Sequence, residues 1–567
     1  MKKAIKFGSI LVAGIMASGI ALGMTACNKG GVKIDKTKTQ LYVFSYNGGV
    51  GNEWLDHTIE SFEAKYADKS FEEGKTGVQV IPDKQKDAGT SMVDSFKNKN
   101  IDVVFNETVR YNEWVKKGNL KDITDIVTGE NELDGNKKIV DKLADDKKAA
   151  LTARDGKYYA LPHYEAFRGV VYDMDLFKQK KLYFAADRTM DDFILNDTDA
   201  KSAGPDGKTG TYDDGLPATY SEFWTLCDKM VASNVIPFIW SGEEETYSEF
   251  LLYALSETMA GATESKLNYN FGHGVENDAD KTARIVTGFT GDDKNPVPTV
   301  EEKVITEENG YLMRQTESKY RALEFLFKIF NTEGYYHKDS IGKLTMSNTE
   351  AQQTFIFSSL ENKPIGMLIE GTFWETEAKD SMELAVQSYG DRAKNRNFGW
   401  MPLPGVYDTK DNKVEVNETN GKKQVYSDYI NAYCGISANC SGVRLDLAKK
   451  FVKYCYSDAG LNEFTKYTGM RRGVNYELAP DTTQNLSSFY KSVLTAREEA
   501  EVITPMSDSP LFMENENTFT LYNYVWNSKN YTFPVSAYRG KMTSAKTYFD
   551  GMKLTAADWA NKKYTVS

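Results

Sequence analysis

The sequence predicts an α/β protein built on mostly parallel sheets. Two observations carry that reading. Strand-like runs at 41–45 (LYVFS), 77–81 and 101–105 (IDVVF) alternate with a helical stripe in which Leu55, Ile59, Phe62 and Tyr66 recur at spacings of four, three and four. The same alternation returns later, with strands expected at 235–240, 364–369 and 397–401 and a strongly apolar helix at 320–330. At 567 residues, with 41% hydrophobic and 26% charged residues, the chain can fill several domain-sized cores. The net charge of −12 argues against nucleic acid or an anionic membrane surface as a main partner. No repeat of fixed period appears.

The N-terminus carries Lys2, Lys3 and Lys6, then an uncharged run from 7 to 28 that ends Met24-Thr25-Ala26-Cys27. A charged head, an apolar middle and small residues before a cleavage point are the layout of a secretory signal. The small residues leading into Cys27 resemble the lipobox of bacterial lipoproteins. That resemblance implies a signal peptide at 1–26, lipid on Cys27 and an anchor at the outer face of the cell membrane. An uncleaved span is the other reading; the run is barely long enough and rich in glycine. Residues 27–38 are polar and read as a tether. Cys227, Cys434, Cys440 and Cys455 match no zinc or dithiol spacing and are expected as free thiols.

In parallel α/β sheets, ligands bind beyond the carboxyl ends of the strands. This draws attention to Tyr46 and Asn47, which open a glycine-rich turn, and to Asn106 and Glu107, which a turn or helix cap would explain equally well. Trp240 and Glu370 stand at later strand exits, with Trp374 shortly beyond. Between 155 and 177 two short strand-like runs flank a break, 162–168 (PHYEAFR). Pro162 biases Leu161 toward extended backbone and cannot donate to a ladder. A bulged hairpin, or a strand leaving one sheet for another, would both read this way. Tyr164, Glu165 and Arg168 crowd polar chemistry into that break. Further on, Thr219 and Glu222 form a capping-box pair. The segment 262–318 is polar with little periodicity and is expected as a surface insertion. So is 407–428.

The loop 196–217 holds Asp197, Asp199, Asp206, Asp213 and Asp214 among glycines. Oxygen-rich turns suit calcium, so the loop reads either as a structural Ca²⁺ site or as a solvated loop. Lys208 stands where an EF-hand needs its twelfth-position glutamate. No other cofactor is required.

Several pieces then line up in order: the lipobox, LYVFSYNGGVGNEWLDHTIESFEAKY, IDVVFNE, DGKYYALPHY…GVVYDMDLF, TYSEFWTLCDKM, PIGMLIEGTFWE, FGWMPLPG and CGISANCSGVRLDLAKKFVKYCYSDAGLNEFTKYTGMRRG. Together they resemble the extracellular sugar-binding proteins of ABC transporters, the group that includes maltose-binding protein. The resemblance covers most of 39–530. It implies a two-lobed periplasmic-binding-protein type II fold with hinge crossovers and a ligand cleft between the lobes. Lobe one is then expected at 38–163 plus 433–499, and lobe two at 168–430 plus 504–567. The implied ligand is a carbohydrate, the implied partner a membrane permease, and the expected state a monomer. For stacking on sugar faces the candidates are Tyr46, Tyr164, Trp240, Trp374, Tyr433 and Trp526, the tryptophans reading equally as core. For pairing with hydroxyls they are Asn47, Asn106, Glu107, Glu165, Glu370, Arg471 and Arg472, with one of the two arginines expected in the cleft. Trp54 and Trp400 read as core. Two alternatives stay open: a secreted carbohydrate-active enzyme, and a surface binding or sensor protein on the same fold. Against the enzyme stand the missing barrel rhythm and the absence of G-x-S-x-G or H-E-x-x-H.

Overall fold

The computed structural model describes residues 33–85, 100–107, 110–186, 193–292, 295–342, 346–405, 424–428, 430, 432–514 and 532–564. The signal segment with Cys27, the helical piece expected at 92–96, most of the 407–428 insertion and Trp526 lie outside the described residues.

Two sheets organise the chain. The first holds β1 (Thr39–Tyr46), β2 (Val78–Gln85), β3 (Val103–Glu107), β4 (Ala160–Pro162) and, far later, β12 (Ala432–Ile436), in the order β2-β1-β3-β12-β4. The second holds β5 (Arg168–Asp173), β6 (Ile236–Ile239), β9 (Ile365–Gly371) and β10 (Phe398–Met401), in the order β10-β5-β9-β6. Residues 163–167 therefore leave one sheet and enter the other, which selects the crossing over the hairpin.

The expectation of mostly parallel strands needs correction. β1 runs parallel to β2 and β3, and β6 to β9. β12 runs against β3 and β4, and β5 against β9 and β10. The cause is connectivity. A strand that follows a helix packed on its own sheet re-enters in parallel. β5 and β12 instead arrive from the other lobe and start at the end where their neighbours finish, with Arg168 opposite Gly371 and Ala432 opposite Glu107.

Local signals fix the helix starts. Thr219 Oγ1 accepts the Glu222 N–H at 3.1 Å, and the Glu222 carboxylate turns back to the Ala218 N–H at 2.7 Å. A similar reciprocal cap opens the helix Asn348–Ser358, between Ser347 and Glu350. In lobe one, Trp54 packs edge-on against Phe105 and Phe464. In lobe two, Trp240 lies among Phe330 and Tyr336. All four described cysteines are free and buried.

Two boundaries differ from expectation. The helix Ser488–Glu499 was expected in lobe one, yet it lies on β10. The Ser492 hydroxyl accepts the Trp400 N–H at 2.8 Å and Ser488 donates to the Phe398 carbonyl at 3.0 Å. Two serines one helical turn apart face the sheet. The third passage between lobes therefore comes before 488. Beyond it, β13 (Glu501–Ile503) pairs in parallel with β11 (Val425–Ser427) as a short ribbon near the crossings. The polar segment 262–318 is not a loose insertion either. The helix Thr246–Asn270 continues into it past a break at Gly261, where φ is 78°. β7 (Thr282–Asp292) and β8 (Asn295–Val304) then form an antiparallel hairpin. Phe289 anchors that hairpin edge-on against Tyr320 and Phe549. Among the described residues no helix is long and apolar enough to cross a membrane.

Candidate functional site

The strand ends of the two sheets face each other across the crossings. From lobe one, β1 delivers Tyr46 and the turn after it, and β3 delivers Glu107. From lobe two, β9 delivers Glu370, and the short helix Trp374–Glu377 delivers Glu377. The first crossing adds Tyr164.

These groups meet. The Tyr164 hydroxyl donates to the Glu107 carboxyl, and burial holds that carboxyl up at about 8, with the nearby Glu377 charge adding to the rise. Glu377 accepts the backbone N–H of Gly49 from the opposite lobe; its carboxyl is pushed by burial to about 7. Gln352 donates from one amide nitrogen to both Glu370, at 3.1 Å, and Glu377, at 3.2 Å. Burial first and Glu377 second raise Glu370 well above the carboxylate range. Tyr46 and Tyr247 border the same carboxyls, and both phenols are pushed up by burial and by those acids. Gly49 has φ 49°, and a methyl added there would sit 2.5 Å from Glu107 Oε1 and 2.8 Å from the Tyr164 hydroxyl. Only glycine lets the turn come this close.

Beside this cluster a groove of about 880 Å³ runs between the lobes. Val50 to Glu53 and Lys466 to Gly469 line it from lobe one, and Glu375, Thr376 and Lys379 from lobe two. An ion pair of 2.9 Å between Glu53 and Lys379 spans the lobes at its rim. Inside, the Thr376 and Tyr490 hydroxyls are hydrogen-bonded. Carboxyls, phenols and a carboxamide converging from two bodies suit a ligand with a hydroxyl rim and apolar C–H faces.

Of the residues singled out in the sequence, Tyr46, Glu107, Tyr164 and Glu370 come together here. The others are placed elsewhere. Asn47 is exposed on the turn. Asn106 is buried inside β3, opposite Tyr433 in register. Trp240 is fully buried in lobe two. Trp374 is fully buried edge-on against Phe355, Phe398 and Phe489. Tyr433 is stacked on Tyr111 at 5.5 Å. Neither arginine reaches the cleft. Arg472 is enclosed over Phe464 and Trp54, bonded to the His163 ring at 2.7 Å and carbonyl at 3.1 Å. Arg471 lies on the Tyr476 ring. Glu165 faces away from the cleft and pairs with Lys147 and Arg497, which hold its carboxyl down at about 2 against the cost of burial. Trp54 and Trp400 are core, as read.

Glu377, Gln352, Tyr247, Thr376 and Tyr490 were missed. The rule that ligand groups lie beyond strand ends reaches Glu377, since it ends the turn after β9. Gln352 and Tyr490 sit on helices whose sequence carries no such sign.

The aspartates of the loop do not converge on one point. Among the described residues no group of three or more metal-ligating side chains converges. Asp199 accepts the Leu195 and Asn196 N–H groups at 2.8 Å, Asp214 that of Gly210 at 2.8 Å, and Asp213 that of Asp206 at 2.9 Å. Asp206 accepts from the Lys208 N–H at 2.7 Å, and Asp197 pairs with Lys181 at 2.8 Å. Each carboxylate is engaged by its own turn or a neighbouring lysine.

The fold and its cleft are those of a two-lobed binding protein. Residues 55–261 match the family model of bacterial extracellular solute-binding proteins. The fold is also that of solved sugar-binding proteins. A chitin oligosaccharide binding protein superposes with a TM-score of 0.51 at 14% identity, over 92% of this chain and all of that one. An ABC-transporter binding protein of Bifidobacterium animalis subsp. lactis, solved with mannobiose, gives a TM-score of 0.51 at 14% identity, over 94% of this chain and 97% of that one. No curated protein matches the sequence.

Proposed function

We propose that this chain is the substrate-binding lipoprotein of an ABC importer, held to the cell membrane through Cys27. It captures a carbohydrate, with an oligosaccharide the best fit, between its lobes and hands it to a permease without breaking bonds. One observation carries the reading. Carboxyls from both lobes stand together between them, Glu107 with Tyr164 on one side and Glu370 with Glu377 on the other. A ligand that bonds both sets favours the closed form and so drives closure. The cleft and adjoining groove are in the size range of small-molecule sites. The neighbours of known ligand bind a chitin oligosaccharide and mannobiose, which supports the substrate class.

The test is isothermal titration against a panel of mono- and oligosaccharides, repeated with Glu377→Gln and Tyr164→Phe. One or more oligosaccharides should bind, and each variant should weaken binding about tenfold, the worth of about 1.4 kcal/mol from a lost hydrogen bond. Incubation with end-labelled oligosaccharide should yield no shortened product. Release of product, or unchanged affinity in both variants, would defeat the proposal.

A further inference from the structure

The first two crossings between the lobes meet at one lysine. Lys147 belongs to the helix Asp145–Leu151 of lobe one and is buried. Its Nζ lies 2.6 Å from Asp428 Oδ2 and 3.3 Å from Glu165 Oε1, and donates to the Gly473 carbonyl at 3.1 Å. Glu165 is part of the first crossing. Asp428 is part of the second, between β11 and β12. Gly473 is in the loop that leaves the last helices of lobe one. Arg497, on the helix that lies on β10, donates from Nε to Glu165 Oε2 at 2.9 Å. The Ala166 N–H reaches Asp428 Oδ1 at 3.4 Å, so the two crossings also touch directly. Two cations and two carboxylates thus tie both crossings to lobe one and to the helix on β10.

Two arguments make this network more than local glue. Successive side chains of an extended segment point to opposite sides. Tyr164 points to Glu107 in the cleft, and the next residue, Glu165, points to Lys147 behind the hinge. A shift of either face moves the other. A cavity of about 250 Å³ also borders the network, lined by Lys147, Glu165, Asn475 and Arg497 among others. On this wall of the cavity the charge pairs hold the side chains in position. Removing one partner of a buried pair strands the other charge, whereas removing all partners together does not.

We propose that Lys147 is the positioning residue of the hinge. Its ammonium pins both crossings to lobe one, sets the angle at which the lobes rest, and through that angle tunes how tightly the cleft holds its solute.

Lobe separation is the readout, and it needs no solute, so it stands apart from which carbohydrate binds. Spin labels placed at Lys65→Cys and Glu333→Cys, both exposed and one on each lobe, report the distance by double electron–electron resonance in a Cys27→Ser background; the four native thiols among the described residues are buried. The variants are Lys147→Arg, Lys147→Met and the triple Lys147→Met/Glu165→Gln/Asp428→Asn. Lys147→Arg should keep the parental distance distribution. Lys147→Met should melt lower and show a broadened or displaced distribution. The triple variant, in which Arg497 keeps its bond to Asn475 at 3.2 Å, should recover part of the melting temperature and still show the altered distribution, with affinity for any solute the parent binds lowered about tenfold. A triple variant with the parental distribution would overturn the proposal. So would one that fails to fold, since the network would then serve folding alone.

Discussion

Replacing Glu107 with glutamine should remove much of the pH dependence of the solute-free protein's stability. The carboxyl is held at about 8 in the folded chain, against an ordinary 4.5. The folded form therefore binds this proton more tightly than the unfolded form. That contribution is complete below about pH 4.5, shrinks as pH rises, and is gone above about pH 8. At roughly 1.4 kcal/mol per pKa unit the full swing is about 5 kcal/mol, less what opening of the cleft to water relieves. At about 2 °C per kcal/mol for a large domain, the wild-type melting temperature should fall by several degrees between pH 5 and pH 8.5. Glu370 and Glu377 titrate in both proteins, so the difference isolates Glu107 together with its coupling to Glu377. The assay is a thermal melt of wild type and Glu107→Gln, without solute, at half-unit steps of pH. The quantity to plot is the gap between the two melting temperatures. A gap that stays constant from pH 5 to pH 8.5 would show that Glu107 carries no bound proton in this window, and the account of the cleft as a cluster of neutral carboxyls would fail.

Two other outcomes follow from the placements described. Trp240→Ala and Trp374→Ala should each cost about 3–5 kcal/mol of stability, as buried aromatic truncations do, with lowered melting temperature as the primary effect; a variant that melts normally but loses solute would return that tryptophan to the cleft. Chelation with EDTA should leave the melting temperature unchanged, because the loop aspartates already hold their own backbone, while Asp213→Ala should lower it by the equivalent of about 1–3 kcal/mol as the turn loses its acceptor.

Much of the fold was legible because its signals are local. The stripe Leu55–Ile59–Phe62–Tyr66 and the strand 41–45 follow from periodicity alone. Pro162 and the polar break after it fitted a crossing and a hairpin equally, and only the family resemblance favoured the crossing. Strand direction was not legible. It depends on which lobe a strand arrives from, and nothing within AYCGI or RGVVYD records that. The site was half legible for a related reason. Tyr46, Glu107 and Glu370 end strands or follow them directly, so the rule about strand ends finds them. Trp240 also stands at a strand exit, but its indole turns inward, and a sequence does not say which way a terminal ring turns. Gln352 and Tyr490 reach the cleft from helix faces that are otherwise ordinary. Glu165 and Arg472 were placed in the cleft because charge suggests ligand, whereas here one locks a hinge and the other sits among rings.

The position of β12 has a consequence for biosynthesis. It is a middle strand of the first sheet, flanked by β3 and β4, yet it comes after more than 250 further residues of chain. A nascent polypeptide that has completed β4 still has an empty slot there, with two unpaired ladders exposed. Such edges invite pairing with other chains. A chain cut anywhere before residue 432 should therefore aggregate rather than yield a free-standing first lobe, and this protein should rely on being kept unfolded until nearly all of it has been made.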